Sequence, residues 1–373
     1  REALTCAAEV RSEGARSLAT LRFGNLGGRG IEATCTAAVA TADPYVRWRL
    51  SLRLPARLTL TRVDFPLVVL RALLAEGTPG EAVVLGATKG GVYPRPSQWA
   101  QGTGLWRGMP GSLAAQFATV YDDAGGFLTA CEDSLGTPKT IGVRRGPEGL
   151  EISWTRACFT PATWALDYDV VQTVFRSPDT SRPTDWRDAA DLYKQWAVRQ
   201  PWCARTYAER KDIPAWMKAV PAMVRFNRGW LAAPERIEQW LARYWGRYFA
   251  DRRPLITAYW GWEKVQTWVT PDYFPVYPSD EQFARLQKLA RARNGHAFFW
   301  PSGYHYTLTY RKRDDGSFEW DDRARFEQVA QPHAVVTPEG KTYQAARSWL
   351  VGGETSCMCP GDPWTLDWFN HTA

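Results

Sequence analysis

The sequence predicts an N-terminal antiparallel β-sandwich followed by a partial (β/α)8 TIM-type barrel. Three observations carry this expectation. Up to about residue 180, short alternating apolar–polar runs are separated by Gly- and Pro-rich turns. From Val220 the hydrophobic period switches back and forth between strand and helix. The run Leu255-Ile256-Thr257-Ala258 ends in Tyr259-Trp260-Gly261-Trp262-Glu263, where a buried strand should give way to a loop. In parallel α/β folds, ligands bind at the carboxyl ends of strands.

In the N-terminal part, Val46 to Leu54 alternates strictly, Leu150 to Trp154 does the same, and Trp164 to Tyr168 does so more loosely. A period of two buries one face of a strand and leaves the other to solvent. Asn25-Leu26-Gly27-Gly28, Pro79-Gly80, Lys89-Gly90-Gly91, Asp122-Asp123-Ala124-Gly125-Gly126 and Gly146-Pro147 supply the turns. Residues 1–180 are therefore expected to form the sandwich, cut at its N-terminus. Residues 181–219 read as a helical connector. There Trp186, Ala189, Ala190, Tyr193, Trp196 and Ala197 recur at helical spacing, so Asp185 to Arg199 reads as an amphipathic helix.

From residue 220 the units come in order. Ala222 to Phe226 reads as a short strand, and Pro234 suits the first turn of a helix with the stripe Ile237, Trp240, Leu241, Tyr244, Trp245 and Tyr248. Leu255 to Tyr259 is the second strand. Ser279-Asp280-Glu281-Gln282 has capping-box spacing, and Asn294-Gly295 ends the helix it opens. His296 to Trp300 is the third strand. Successive β-α-β units imply parallel pairing, and with no Gly-rich loop after the first strand a nucleotide-binding fold is disfavoured. A whole barrel needs roughly 250 residues. Residues 220–373 are thus expected to hold the first three to four units, truncated at the C-terminus. Cys357-Met358-Cys359 reads as a fourth strand with both cysteines on one face. A zinc site there would need two more ligands, and only His371 is near in sequence. Asp362 is expected to cap a final helix, with a place facing the site as the alternative.

Composition narrows the function classes. Hydrophobic content of 45% with 23% charge fits a soluble globular protein. No stretch approaches the ~20 apolar residues of a membrane span, so no membrane partner is expected. The net charge of +7 is spread among acids, as in Arg311-Lys312-Arg313-Asp314-Asp315, which argues against nucleic acid. Seven cysteines in no framework leave the redox compartment unread, and an extracytoplasmic setting stays open.

The strand ends supply the candidate site. The first gives Asn227, Arg228 and Trp230. The second gives Tyr259, Trp260, Trp262 and Glu263, with Trp268, Asp272 and Tyr273 on its loop. The third gives Trp300, Ser302, Tyr304, His305 and Tyr306. In a barrel these tips converge on one mouth. Aromatic faces suit the C–H surface of a sugar, and carboxylates bind hydroxyls or transfer protons. The substrate-binding candidates are Asn227, Tyr259, Trp260, Trp262, Tyr273, Trp300, Tyr304 and His305. Catalytic residues stay unassigned, with Glu263 and Asp272 as secondary candidates, and no metal or organic cofactor is required. Plainer roles compete. Trp260 and Trp300 would plug a barrel top, Glu263 would pair with Lys264, Asp272 would sit in a turn, and His305 would pack between two tyrosines.

Several motifs together resemble a known family. They are Pro110-Gly111-Ser112 with Gln116-Phe117, Tyr121-Asp122-Asp123 with Gly125-Gly126, and Asp185-Trp186-Arg187-Asp188-Ala189-Ala190. Further on come Tyr259-Trp260-Gly261-Trp262-Glu263, Thr270-Pro271-Asp272-Tyr273-Phe274-Pro275, Trp300-Pro301-Ser302-Gly303-Tyr304-His305 and Gly352-Gly353-Glu354-Thr355-Ser356-Cys357-Met358-Cys359-Pro360. The chain resembles the bacterial glycoside-hydrolase-like family catalogued as domain of unknown function 6259. The resemblance implies a β-sandwich plus a TIM-type barrel, as in several α-glycosidase clans, with a catalytic Asp at the end of the fourth barrel strand and a second acid further on. The chain stops before the strand that would carry the first. Glu263 and Asp272 would then bind substrate or support it. The resulting expectation is a glycoside-hydrolase-like fragment, acting on a glycosidic bond by carboxylate acid/base chemistry but lacking its main acids and inactive alone. The alternatives are a non-catalytic carbohydrate-binding protein on the same architecture and a barrel whose aromatics are only core.

Overall fold

Alternating runs in the N-terminal half become strands that pair antiparallel throughout. In the computed structural model, residues 5–71, 80–87, 90–249, 254–264, 273–299, 304–337, 339–347 and 352–372 are described. The chain divides into two compact units, Arg1–Thr206 and Tyr207–Ala373. Among the described residues, the first unit holds a ten-stranded and a four-stranded sheet. The run from Val46 falls in strand Asp43–Arg53, and the run from Leu150 opens strand Leu150–Pro161. Only Thr163–Ala165 of the looser run is strand. Inward-facing Ile141, Val143, Ile152 and Trp154 of the smaller sheet share one core with Val83, Leu85, Val120 and Val170 of the larger.

A buried polar cluster sits in the same unit. The Lys139 ammonium, with no side-chain exposure, donates to the Asp133 carboxylate at 2.6 Å and to Gln116 Oε1 at 2.7 Å. Asp133 also accepts the N–H groups of Leu135 (2.9 Å) and Thr137 (2.6 Å). Burial pulls the Asp133 carboxyl upward, but Lys139 and these donors outweigh it and hold it below the usual carboxylate range. The expected connector helix is Trp186–Ala197. Asp185 caps it by accepting from Arg187 N at 2.7 Å, and Asp188 reaches back to Asp185 N at 2.9 Å, which completes a capping box.

In the second unit, Met223–Phe226, Leu255–Tyr259 and Gly295–Phe299 pair in parallel and in chain order. Between the first two strands run helical segments Pro234–Trp240 and Gly246–Phe249, joined by a wider turn at Leu241–Trp245. Between the second and third lies helix Asp280–Arg291, whose Ser279 hydroxyl accepts from Gln282 N at 3.2 Å. Phe226, Leu255, Tyr259, Trp245 and Leu286 form the core between sheet and helices. A Cβ on Gly295 would lie 2.5 Å from the Trp245 ring, so only glycine fits there.

The expected fourth parallel strand is corrected. Gly353–Cys357 is a strand, but it pairs antiparallel with His305–Thr307 and Gln344–Arg347. A parallel return needs a crossover of a dozen or more residues, usually a helix. After residue 303 the chain makes short strands, a hairpin of Thr309–Lys312 with Phe318–Asp321 turned by Arg313-Asp314-Asp315-Gly316-Ser317, and a short helical stretch from Arg323 to His333, and the strand that follows returns antiparallel. Three parallel strands are described, with helices after the first two. Asp362 caps helix Pro363–Thr372 as expected, accepting from Trp364 N at 2.9 Å and Thr365 N at 3.2 Å. Among the described residues no group of three or more His, Cys, Asp or Glu is placed to hold a metal ion, and no helix is long and apolar enough to cross a membrane. The side chain of His371 lies outside the described residues.

Candidate functional site

Parallel pairing puts the carboxyl ends of the three strands side by side, and one residue ties the first of them to the loop after the second. Arg228 follows the first strand. Its Nη1 donates to the main-chain oxygens of Gly261 (3.0 Å) and Glu263 (2.9 Å) in the loop after the second strand. Its guanidinium lies 3.6 Å from the centroid of the Tyr277 ring, a close cation–π contact. Gly261 makes room: it adopts φ +74°, and a Cβ there would come 3.1 Å from Arg228 Cβ. Burial pulls the Arg228 guanidinium below its ordinary pKa. Tyr277, Tyr310, Glu263 and Glu319 pull it back up. The hairpin therefore brings Tyr310 and Glu319 toward the same edge, and Lys264 sits 5.6 Å from the Trp320 ring.

Pleat parity decides which expected aromatics can face a ligand. Register pairs Arg225 with Ala258 and Ala258 with Phe298, so these share one face, and Trp260 continues it two residues beyond Ala258. Trp260 is half-buried, donates its main-chain N–H to Phe226 O at 2.8 Å, and has Arg225 5.6 Å from its ring. Tyr259 points the other way, onto the helices, edge-on to Phe283 at 5.1 Å. Tyr259, Trp262 and Tyr273 are only 1%, 5% and 1% exposed, so their rings serve packing and offer no open face to a sugar. Trp262 stacks on Tyr273 (5.5 Å, 9°) and, with Phe274, Phe283 and Phe299, borders an apolar cavity of about 590 Å³. Among the residues lining that cavity only Asp280 and Gln287 are polar, which suits apolar filling rather than a polyol.

The remaining candidates separate. Asn227 is exposed at the edge, its amide oxygen accepting from Trp230 N at 3.2 Å to cap the short helix Arg228–Leu231. Glu263, 1% exposed, lies under the edge beside Arg228 and is not presented at the surface. His305 opens the antiparallel strand His305–Thr307, and Tyr304 lies just before it. Tyr304 stacks on Phe369 at 5.4 Å, and His305 Nδ1 is 3.7 Å from Sγ of Cys357, its cross-strand partner. Trp268, Asp272, Trp300 and Ser302 lie outside the described residues. Arg228 thus ties the strand end that carries Asn227 to the loop that carries Trp260 and Glu263, a role that spacing did not reveal. The signal was there in Asn227-Arg228-Gly229 at one strand end and a glycine between two tryptophans at the next.

Comparison with known proteins bears on the family and the fold. The profile of a family described as domain of unknown function 6259 matches residues 166–370. Among solved structures, the chain is similar to the α-N-acetylgalactosaminidase NagBb from Bifidobacterium bifidum. The ligand-free structure aligns with a TM-score of 0.62 at 13% identity, covering 99% of this chain and 59% of that one. Its GalNAc complex aligns with a TM-score of 0.61 at 14% identity and the same coverage. The chain therefore spans about six-tenths of the length of that enzyme. At this identity the likeness is one of fold. No curated protein sequence matches the chain.

Proposed function

The chain belongs to the family of domain of unknown function 6259, and from that premise we propose that it is the sandwich and opening β/α units of a glycoside-hydrolase-like protein acting on a glycosidic bond. Its three parallel strands are the first part of a TIM-type barrel. The residues proposed to meet the sugar are Trp260 and Asn227 on the strand-end edge, together with Tyr304, His305 and Trp300. Glu263 and Asp272 support them, and Arg228 fixes the loop that presents Trp260. The observation that carries the reading is this edge, where a half-buried indole with a cation over its ring stands at the carboxyl end of a parallel sheet. It is joined by a fold similar to an enzyme that takes N-acetylgalactosamine.

The buried state of Glu263 favours the second reading, a protein that binds carbohydrate without cleaving it. A general acid must reach the glycosidic oxygen, and a carboxyl with 1% exposure does not do so in this arrangement. One experiment tests both readings. The chain is titrated with N-acetylgalactosamine and galactose, and in parallel assayed with aryl α-N-acetylgalactosaminide and aryl α-galactoside. Binding with turnover supports the hydrolase. Binding without turnover fits the binding protein and equally a hydrolase whose principal acids are not among these residues. Sugar affinity that is the same in Trp260→Ala and Asn227→Ala as in the parent removes the edge as the site.

A further inference from the structure

A second polar cleft lies in the N-terminal unit, and two motifs that the strand-end edge does not use meet in it. Tyr121 and Asp123 come from Tyr121-Asp122-Asp123, and Asp185 and Arg187 from the start of the helix Trp186–Ala197. Together with Arg95 and Arg182 they line a cavity of about 830 Å³. We propose that this cleft is a binding site for an uncharged oligosaccharide of two or three units, separate from the edge of the parallel strands.

Much of each motif is accounted for by the fold. Asp122 holds its turn by accepting from Ala124 N (2.8 Å) and Gly125 N (3.0 Å), and Asp188 closes the capping box. Asp123 has no such task. Its exposed carboxylate lies over the Gly80 backbone, so close that a Cβ on Gly80 would come 2.1 Å from Asp123 Oδ1. Asp185 and Arg187 are paired at 3.1 Å, with Arg187 still largely exposed. Tyr121, 6% exposed, forms part of the wall, and its phenol feels all three of these charges: burial raises its pKa, Asp185 and Asp123 add to that, and Arg187 opposes it. Arg95 is held at φ 50° at the start of a 3-10 turn, and its side chain is exposed. Carboxylates that accept, guanidinium groups that donate and a phenol between them are the chemistry that recognises vicinal hydroxyls.

Charge selects an uncharged ligand. Arg95, Arg182 and Arg187 are matched by Asp123, Asp185 and Glu81 in the lining, and Asp188 further holds Arg182. With no excess of cations, the cleft lacks the field that draws phosphate or uronate. Val92 and Pro94 are exposed along it and offer apolar contact to sugar C–H faces. The volume falls within the range of small-molecule sites.

The test uses the full chain in calorimetric titrations with melibiose, raffinose, lactose, maltotriose and trigalacturonate. The expected result is saturable binding of at least one neutral sugar, weakened tenfold or more in Asp123→Asn and in Arg95→Asn and unchanged in Trp260→Ala. Both cleft variants change exposed side chains, and unaltered circular dichroism confirms that they fold. Three results overturn the proposal: no binding of any neutral sugar, binding of trigalacturonate alone, or binding that survives both cleft variants. Loss of binding in Trp260→Ala alone would instead assign the sugar to the parallel-strand edge, so the two sites fail independently.

Discussion

Removing Asp133 should cost the chain more stability than removing any exposed charge. In Asp133→Ala the Lys139 ammonium keeps Gln116 Oε1 at 2.7 Å but loses its counter-ion, in a place with no solvent exposure. The main-chain N–H groups of Leu135 and Thr137 lose their acceptor as well. Breaking one side of a buried ion pair typically costs about 3–5 kcal/mol. For a cooperative unit of this size, a kilocalorie moves the melting point by about 2–4 °C, so the midpoint should fall by roughly 6–20 °C. Lys139→Met leaves Asp133 its N–H donors and should cost less. The double variant should cost less than the sum of the two. The pH dependence follows from the depressed Asp133 carboxyl. Its folded pKa lies below its unfolded one, so its contribution is complete above the ordinary carboxylate range and is lost as pH falls through the folded value. The acid-induced loss of stability should therefore be smaller in Asp133→Asn than in the parent. Scanning calorimetry from pH 3 to pH 7 measures all of this. Single variants within 1 kcal/mol of the parent, with additive effects, would refute the idea that this cluster acts as a unit.

Other outcomes are expected from the second unit. Gly295→Ala drives a methyl against the Trp245 ring and against Ala290 O, 2.6 Å away, and should destabilise by about 1–3 kcal/mol in urea melts. Arg228→Ala removes the donor to three loop carbonyls, those of Gly261, Glu263 and Lys264. Hydrogen exchange should then speed up in residues 260–264 while helix Asp280–Arg291 keeps its protection. The Asp362 carboxyl is held below its ordinary value, first by the hydrogen bond from His333. Carbon-detected NMR titration should find it moved upward in His333→Ala.

Elements whose signal is local were legible in the sequence. Helix Trp186–Ala197 follows from its apolar spacing and its Asp185 cap, and the three parallel strands follow from β-α-β alternation. Side-chain direction at the strand ends was less legible. Tyr259 and Trp260 are adjacent, so the pleat must send them to opposite faces, but sequence alone does not say which face the helices cover. Packing chose Tyr259 for the core and left Trp260 at the edge. The strand Gly353–Cys357 was found, yet its partners were not. Register across more than forty residues, as between His305 and Cys357, is set by tertiary contacts and not by period. Arg228 escaped notice as a clamp because its acceptors are main-chain oxygens, which carry no residue identity to read.

That last arrangement bears on how such scaffolds are re-engineered. A designer wishing to transplant the segment around Trp260 into another framework would find it misplaced unless the guanidinium donor of the preceding unit travelled with it. The two connections constitute a single cassette, and graft boundaries drawn at either strand alone would separate the bolt from its latch.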